Sequence, residues 1–319
     1  MSLSLSIIVP FYNEEENIKD VYKNIISILD TLENEAEVIF IDDGSSDATV
    51  KLARELEDLD DRVKCVELAR NFGQTAAMMA GIDHASKEII IAMDGDGQND
   101  PQDIPRLLEK IEEGYDVVSG WRADRQDKAI TRKLPSMLAN KLISKVSNVH
   151  LHDYGCSLKA YRSSILKDVR LYGEMHRFIP IYASWQGAKV TEIPVNHHAR
   201  TKGVSKYGLN RIFKVLLDLM VIVFLQKYLV KPIYLFGGVG LTFLTGAFLS
   251  GVSALYLKLF EDISFIQTPL LLLFTLLTVT GFTSILMGLL AEVISRTYYE
   301  AQDKTPYLVR TIKDKKTGR

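Results

Sequence analysis

Glu88-Ile-Ile-Ile-Ala-Met-Asp94-Gly-Asp96-Gly-Gln98-Asn-Asp100-Pro101 joins an apolar run of strand length to a cluster of acids and glycines. The run has no polar alternation, so it reads as a strand buried on both faces of a sheet. Asp94 and Asp96 then stand where a parallel strand leaves the sheet, the usual place for a ligand. Two carboxylates one residue apart can hold a hard divalent cation, and Gly95 lets backbone or a phosphate come close. A single Asp-Gly would be an ordinary turn. The doubled Asp-Gly, with Gln98 and Asp100 beyond it, favours a metal site.

Outward from this stretch the pattern repeats. Leu5-Ser-Ile-Ile-Val9 is an apolar strand ending in Pro10-Phe-Tyr12-Asn13-Glu14-Glu15-Glu16-Asn17, before a helical pattern to about Leu32. Glu14–Glu16 also suit the positive end of a helix. Glu37-Val-Ile-Phe-Ile41 is a strand ending in Asp42-Asp43-Gly44-Ser45-Ser46-Asp47, and Ser46 or Asp47 can cap the helix through Leu59. Val63–Leu68 leads into Arg70-Asn71-Phe72-Gly73-Gln74, and Thr75–Ala85 is a helix of small residues able to pack closely on a sheet. Further on, 103–112 and 176–186 read as helices, and 115–119 and 189–195 as strands, with a strand-like piece after Asp153. Strands alternating with helices predict a doubly wound, mainly parallel α/β sheet. No Gly-x-Gly-x-x-Gly follows the first strand and no Gly-Lys-Ser/Thr occurs, which weighs against dinucleotide and P-loop chemistry.

The chain has 319 residues and a net charge of −2, so no global basic field points to nucleic acid. Cys65 and Cys156 suggest small buried apolar residues in a reducing compartment, not a disulfide framework. Charge is spread through 1–231 and vanishes from Pro232–Leu257 and Ile263–Ala291. Each stretch exceeds the ~20 residues that cross a bilayer as a helix. They predict a transmembrane hairpin, about 232–257 and 264–291, turning at Lys258–Asp262. Lys227 and Lys231 precede it, and Arg296, Lys304, Arg310 and further basic residues follow. The positive-inside rule then places both ends in the cytoplasm. Met1–Pro10 lacks a basic start and does not read as a signal peptide. The expected organisation is a cytoplasmic domain over 1–207, juxtamembrane amphipathic helices over 208–231, two spans within 232–292 and a cytoplasmic tail over 293–319.

The ordered set Pro10-Phe-Tyr-Asn-Glu14, Asp42-Asp43-Gly-Ser-Ser-Asp47, Arg70-Asn-Phe-Gly73 and Asp94-Gly-Asp96-Gly-Gln98 resembles the inverting, nucleotide-sugar-dependent family 2 glycosyltransferases of the A-type fold. Gly120-x-Arg122, Asp153-Tyr-Gly-Cys156, Arg162 and Arg200-x-x-Gly203-x-Ser205-Lys206-Tyr207 resemble its polyprenyl-phosphate branch. That branch includes dolichol-phosphate mannose synthases and bacterial bactoprenol glucosyltransferases, and the two-helix hairpin is most similar to the latter.

The resemblance implies transfer of a hexose, glucose from UDP-glucose first and mannose from GDP-mannose second, to polyprenyl (undecaprenyl) phosphate at the inner face of a plasma membrane. Asp94, Asp96 and Gln98 are the implied ligands of Mg2+ or Mn2+, an all-oxygen set. Asp96 and Asp153 are the implied catalytic residues, Asp153 as base. Pro10, Tyr12, Glu14, Asp42, Asp43, Asp94 and Gly95 are placed on the nucleotide sugar, although Asp42 serves equally as a turn residue. Arg122, Arg132, Arg200, Ser205 and Lys206 are placed on the acceptor phosphate, since guanidinium forks match its oxygens. A phosphate monoester is largely ionised at neutral pH, with a second pKa of ~6, so Asp153 could instead orient the acceptor. His150, His152, His197 and His198 lack a zinc spacing and read as loop residues. The expected partners are a nucleotide-sugar donor, a polyprenyl phosphate and the lipid bilayer, with room for a homo-oligomer through the transmembrane helices. A membrane-anchored binding protein is the non-enzyme alternative. A processive polysaccharide synthase is disfavoured because Gln-x-x-Arg-Trp is missing.

Overall fold

A computed structural model of the chain describes residues 3–123, 149–166, 175–198 and 231–301, with a few isolated positions between them. The chain divides into two compact units, Met1–Leu219 and Met220–Arg319.

In the first unit, β1 (Leu5–Phe11), β2 (Ala36–Asp42), β3 (Val63–Glu67), β4 (Ile89–Ala92), β5 (Val117–Trp121), β6 (Lys159–Arg162) and β7 (Val190–Pro194) form one sheet. Its order is β3-β2-β1-β4-β6-β5-β7. β1 pairs in parallel with β2 and β4, as do β2 with β3 and β5 with β7. Among the described strands β6 alone runs antiparallel, between β4 and β5. The apolar runs become the central strands: Ile7, Ile8, Ile39, Ile89 and Ile91 are fully buried. Each such side chain contributes about 2–3 kcal/mol of transfer free energy.

Helices α1 (Ile18–Leu29), α2 (Thr49–Leu59), α3 (Gln74–His84) and α4 (Ile104–Glu112) cover the sheet, followed by the short α5 (Ser163–Leu166) and α6 (Ile179–Trp185). α1 buries Ile18, Val21, Ile25, Ile28 and Leu29, one face of a 3.6-residue period. It stops short of Leu32 because Thr31 turns back, its amide and hydroxyl both donating to the Ile28 carbonyl. α3 lies close to the sheet at Gly81, where a Cβ would stand 2.9 Å from Ile41 Cδ1 and 3.1 Å from Ile8 Cβ. Thus β1 sits between strands reached in opposite directions, and the crevice opens at the carboxyl ends of β1, β2 and β4.

In the second unit, α7 (Ile233–Phe260) and α8 (Leu270–Ala301) are antiparallel helices of 28 and 32 residues. Both are long and apolar enough to cross a membrane. Their backbones meet at Gly240 and Gly281, where a Cβ on Gly240 would lie 2.7 Å from the Gly281 carbonyl oxygen. Ser250 donates to the Leu270 carbonyl, and Ser284 to the Phe236 carbonyl, each at 2.8 Å. Small residues and short hydroxyl bonds are how helices associate in lipid, where the hydrophobic effect between them is absent. The turn is longer than the charges alone suggested. A capping box of Ser264 and Gln267 organises a single 3-10 turn, and α8 starts only after Pro269. α8 also continues to Ala301, so the first part of the expected tail is helical. Most of the juxtamembrane stretch 208–231 lies outside the described residues.

Candidate active site

The turns leaving β1 and β2 are knitted together. Asn13, in the left-handed region at φ 51°, donates its amide to Ser45 Oγ at 2.9 Å and accepts the Ser46 amide at 2.7 Å. The Glu14 amide donates to Thr49 Oγ1 at 2.9 Å, and Glu15 accepts the Ala48 amide at 2.8 Å. Pro10 pairs with Ile41 one residue before β1 ends at Phe11, and Tyr12 and Glu14 follow the strand. Asp47 does bind the start of α2 through the Thr49 amide and hydroxyl, but Ala48 occupies the capping position.

Asp42 and Asp43 face different tasks. Both oxygens of Asp43 accept backbone amides, Phe72 at 2.7 Å and Gly73 at 2.9 Å. Burial nevertheless pushes its carboxyl up. The 70–73 loop can lie on this turn because residue 44 is glycine: a Cβ there would stand 2.3 Å from the Arg70 carbonyl carbon. Asp42, 2 % exposed, accepts the Ser45 amide through Oδ2 at 2.9 Å. Its Oδ1 is buried with no hydrogen-bond partner among the described residues. An orphaned buried carboxylate oxygen is costly and marks a place where a ligand donor belongs.

At the end of β4, Asp94 Oδ1 accepts Gln74 Nε2 at 2.6 Å, and the Asp94 amide donates to Asn99 Oδ1 at 2.9 Å. Asn99 Oδ1 also accepts Ser157 Oγ at 2.9 Å. Asp96 Oδ1 accepts the Gln98 amide at 3.1 Å. Gln98 Nε2 donates to the His198 carbonyl at 3.3 Å, so one end of its amide is engaged. Gly95 has a packing reason: its Cβ would strike the Phe11 ring at 2.4 Å. Burial, then the neighbouring Asp96 carboxylate, push the Asp94 carboxyl up to about 6. Two carboxylates one residue apart, with the charge of Asp96 raising Asp94, are a donor set fitted to a hard cation. Among the described residues no three His, Cys, Asp or Glu side chains gather to hold a metal. Ligand oxygens would therefore complete the shell.

Arg122 and Asp153, expected in separate roles, form one unit. Arg122 donates Nε to Asp153 Oδ2 at 2.7 Å and Nη2 to Oδ1 at 3.0 Å. The Gly155 amide adds a bond to Oδ1 at 3.0 Å. Arg122 Nη1 makes no hydrogen bond among the described residues. A parallel rung braces the same two segments. The His152 ring stacks on Trp121 with centroids 4.4 Å apart, and its Nδ1 meets Glu192. Arg132, Arg200, Ser205 and Lys206 lie outside the described residues.

Sequence reading missed Asn13, Gln74, Asn99 and Glu192. Gln74 directly follows the Arg70–Gly73 motif and Asn99 lies inside the acidic turn, so position could have found both. An asparagine between a strand and a helix is a common left-handed residue, which could have found Asn13. Glu192 gave no signal, because its target is 40 residues away.

The glycosyl transferase family 2 profile matches residues 6–170. Dodecaprenyl-phosphate galacturonate synthase of Rhizobium johnstonii is 44% identical, over 98% of this chain and 94% of that protein. Undecaprenyl-phosphate 4-deoxy-4-formamido-L-arabinose transferase of Edwardsiella ictaluri is 36% identical, over 97% and 94%. Among solved structures, glucosyl-3-phosphoglycerate synthase of Mycobacterium tuberculosis, in complex with Mn2+, UDP and phosphoglyceric acid, superposes with a TM-score of 0.54. It shares 14% identity over 70% of this chain and 78% of its own, a likeness of fold alone. The first unit thus has the A-type glycosyltransferase fold, and the chain belongs to glycosyl transferase family 2, in its polyprenyl-phosphate sugar transferase branch.

Proposed function

We propose that the enzyme transfers a sugar, with inversion, from a uridine diphosphate donor to polyprenyl phosphate, with Mg2+ or Mn2+ held by Asp94 and Asp96. The reading is supported by Asp94 and Asp96 at the carboxyl end of β4, where the Asp96 charge bears on Asp94, and by the orphaned Asp42 oxygen at the same end of the sheet, on β2. The sugar we propose is galacturonate, the one named for the 44% identical relative. Neither of the two relatives above that match over nearly the full chain is named for glucose, which the resemblance had implied.

The chemistry is dominated by charge, since both the leaving diphosphate and the attacking phosphate are anions. A divalent cation supplies Lewis-acid charge to the leaving group when bound. Asp94 and Asp96 hold it, Gln74 fixes the rotamer of Asp94, and Gln98 offers a further oxygen. Asp42 Oδ1 receives an N–H of the base or a ribose hydroxyl, with Pro10, Tyr12 and Glu14 assigned to the same nucleotide on the turn that leaves β1. Asp43 holds the 70–73 loop through the Phe72 and Gly73 amides. The acceptor arrives ionised and needs no base. Asp153 instead locks the Arg122 fork so that Nη1 faces the phosphate, together with Arg132, Arg200, Ser205 and Lys206.

The test is direct. Purified full-length protein in nanodiscs, with Mg2+ and undecaprenyl phosphate, is offered radiolabelled UDP-galacturonate, UDP-glucose, the UDP-linked formamido-arabinose and GDP-mannose. Label should enter the lipid from UDP-galacturonate and fall at least about 100-fold in Asp96→Ala. Lipid label from GDP-mannose alone would overturn the donor assignment, and none from any donor would overturn the reading.

A further inference from the structure

Lys159 lies in β6 between Leu158, Ala160 and Tyr161, all fully buried, and is itself 2 % exposed. Its Nζ donates to the Tyr154 carbonyl at 3.1 Å, the one hydrogen bond it makes among the described residues. No carboxylate lies within 4.0 Å among the described residues, although ion pairs abound elsewhere on the unit. An ammonium buried on a single neutral partner is expensive, by several kcal/mol. A methionine of similar length would suit this apolar strand better. Burial pulls the ammonium down to about 8, so it still carries its proton at neutral pH. The charged groups that bear on it are Asp153, Arg177 and Arg122.

The arrangement has an electrostatic consequence. The Arg122–Asp153 pair is bidentate and mostly buried, so its two charges cancel. A neutral pair is a weak seat for a phosphate monoester carrying about −1.5 to −2. We infer that Lys159 is a positioning residue for the acceptor phosphate: its buried ammonium, held on the carbonyl of the residue that follows Asp153, supplies positive charge to the Arg122–Asp153 site. In a low-dielectric interior such a charge acts across several ångströms without touching the ligand. The donor diphosphate, whose charge a divalent cation held by Asp94 and Asp96 would offset, depends on it little. The inference rests on the proposed function, since it needs a phosphate acceptor at Arg122.

Lys159→Met in the full chain, in nanodiscs, separates the outcomes. Binding of undecaprenyl phosphate and of UDP with Mn2+ is titrated, and thermal unfolding is followed. The undecaprenyl phosphate Kd should rise about tenfold or more, while the UDP Kd stays within about twofold. Tm should stay level or rise, because a buried charge has been replaced by a well-packed apolar group. An unchanged undecaprenyl phosphate Kd overturns the inference. So does a lowered Tm or failure to fold, which makes Lys159 a structural pin. Wild-type protein that binds UDP but no undecaprenyl phosphate defeats the acceptor reading itself.

Discussion

A carboxylate whose two oxygens sit on an arginine fork is a poor proton acceptor, because taking a proton costs it the ion pair. Asp153 is held this way, with a third bond from the Gly155 amide. Asparagine keeps one acceptor oxygen for the fork, so Asp153→Asn should retain transfer within about tenfold of wild type, whereas a lost base costs about 10²–10⁴. Arg122→Met should lose much more, through the acceptor KM. Steady-state kinetics with both substrates varied checks this, and an Asp153→Asn loss beyond about 10³ in kcat restores the base. At the opposite end of the sheet, Glu37 makes a different pH claim. Burial raises its carboxyl, but bonds from Lys64, Ser6 and Ser86 outweigh that and hold it at about 2. A depressed acid contributes stability above its unfolded value and loses it as pH falls. Wild-type Tm should therefore drop between about pH 4.5 and 2, and Glu37→Gln should be less stable at pH 7 with a shallower drop across that window.

Among the elements, α3 shows how tightly helix and sheet are fitted. Gly81→Val would drive a side chain into Ile8 and Ile41, which are fully buried and cannot yield. Overpacking of this kind costs about 1–3 kcal/mol. Tm should fall, with UDP affinity reduced as well, because α3 begins at Gln74, the partner of Asp94. Gly81→Ala should be milder, since only the Cβ has to be accommodated. This close fit was legible from the small-residue run Thr75–Ala85, as the strands were from their unbroken apolar runs. The antiparallel course of β6 was not, because a four-residue strand carries no direction in its pattern. Nor could sequence pair Arg122 with Asp153, or seat His152 on Trp121 and Glu192. Those contacts join segments about thirty to forty residues apart, and each residue alone looks like ordinary loop polarity.

For the whole molecule, the hairpin decides which compartment supplies the donor. α7 and α8 expose large apolar side chains along their length, including Phe248 at 68 % and Leu272 at 75 %, as lipid-facing helices do. Basic residues flank both outer ends, and the connector end carries Lys258 in the last turn of α7 followed by Glu261 and Asp262. Short loops rich in Lys and Arg stay in the cytoplasm. The connector should then face outward, with the catalytic unit and its nucleotide sugar inside. A single engineered thiol tests this cleanly, because Cys65 and Cys156 are both buried and unreactive, their thiols pushed up to about 11 by burial. Glu261→Cys lies on the exposed end of α7, outside the capping box. In intact cells a membrane-impermeant maleimide should label Glu261→Cys and leave wild type unlabelled. Labelling of Glu261→Cys only after the membrane is opened would place the connector inside and reverse the assigned orientation. The full-length chain should also stay in the membrane pellet through an alkaline carbonate wash, since two helices of this length are held by apolar burial rather than by surface charge.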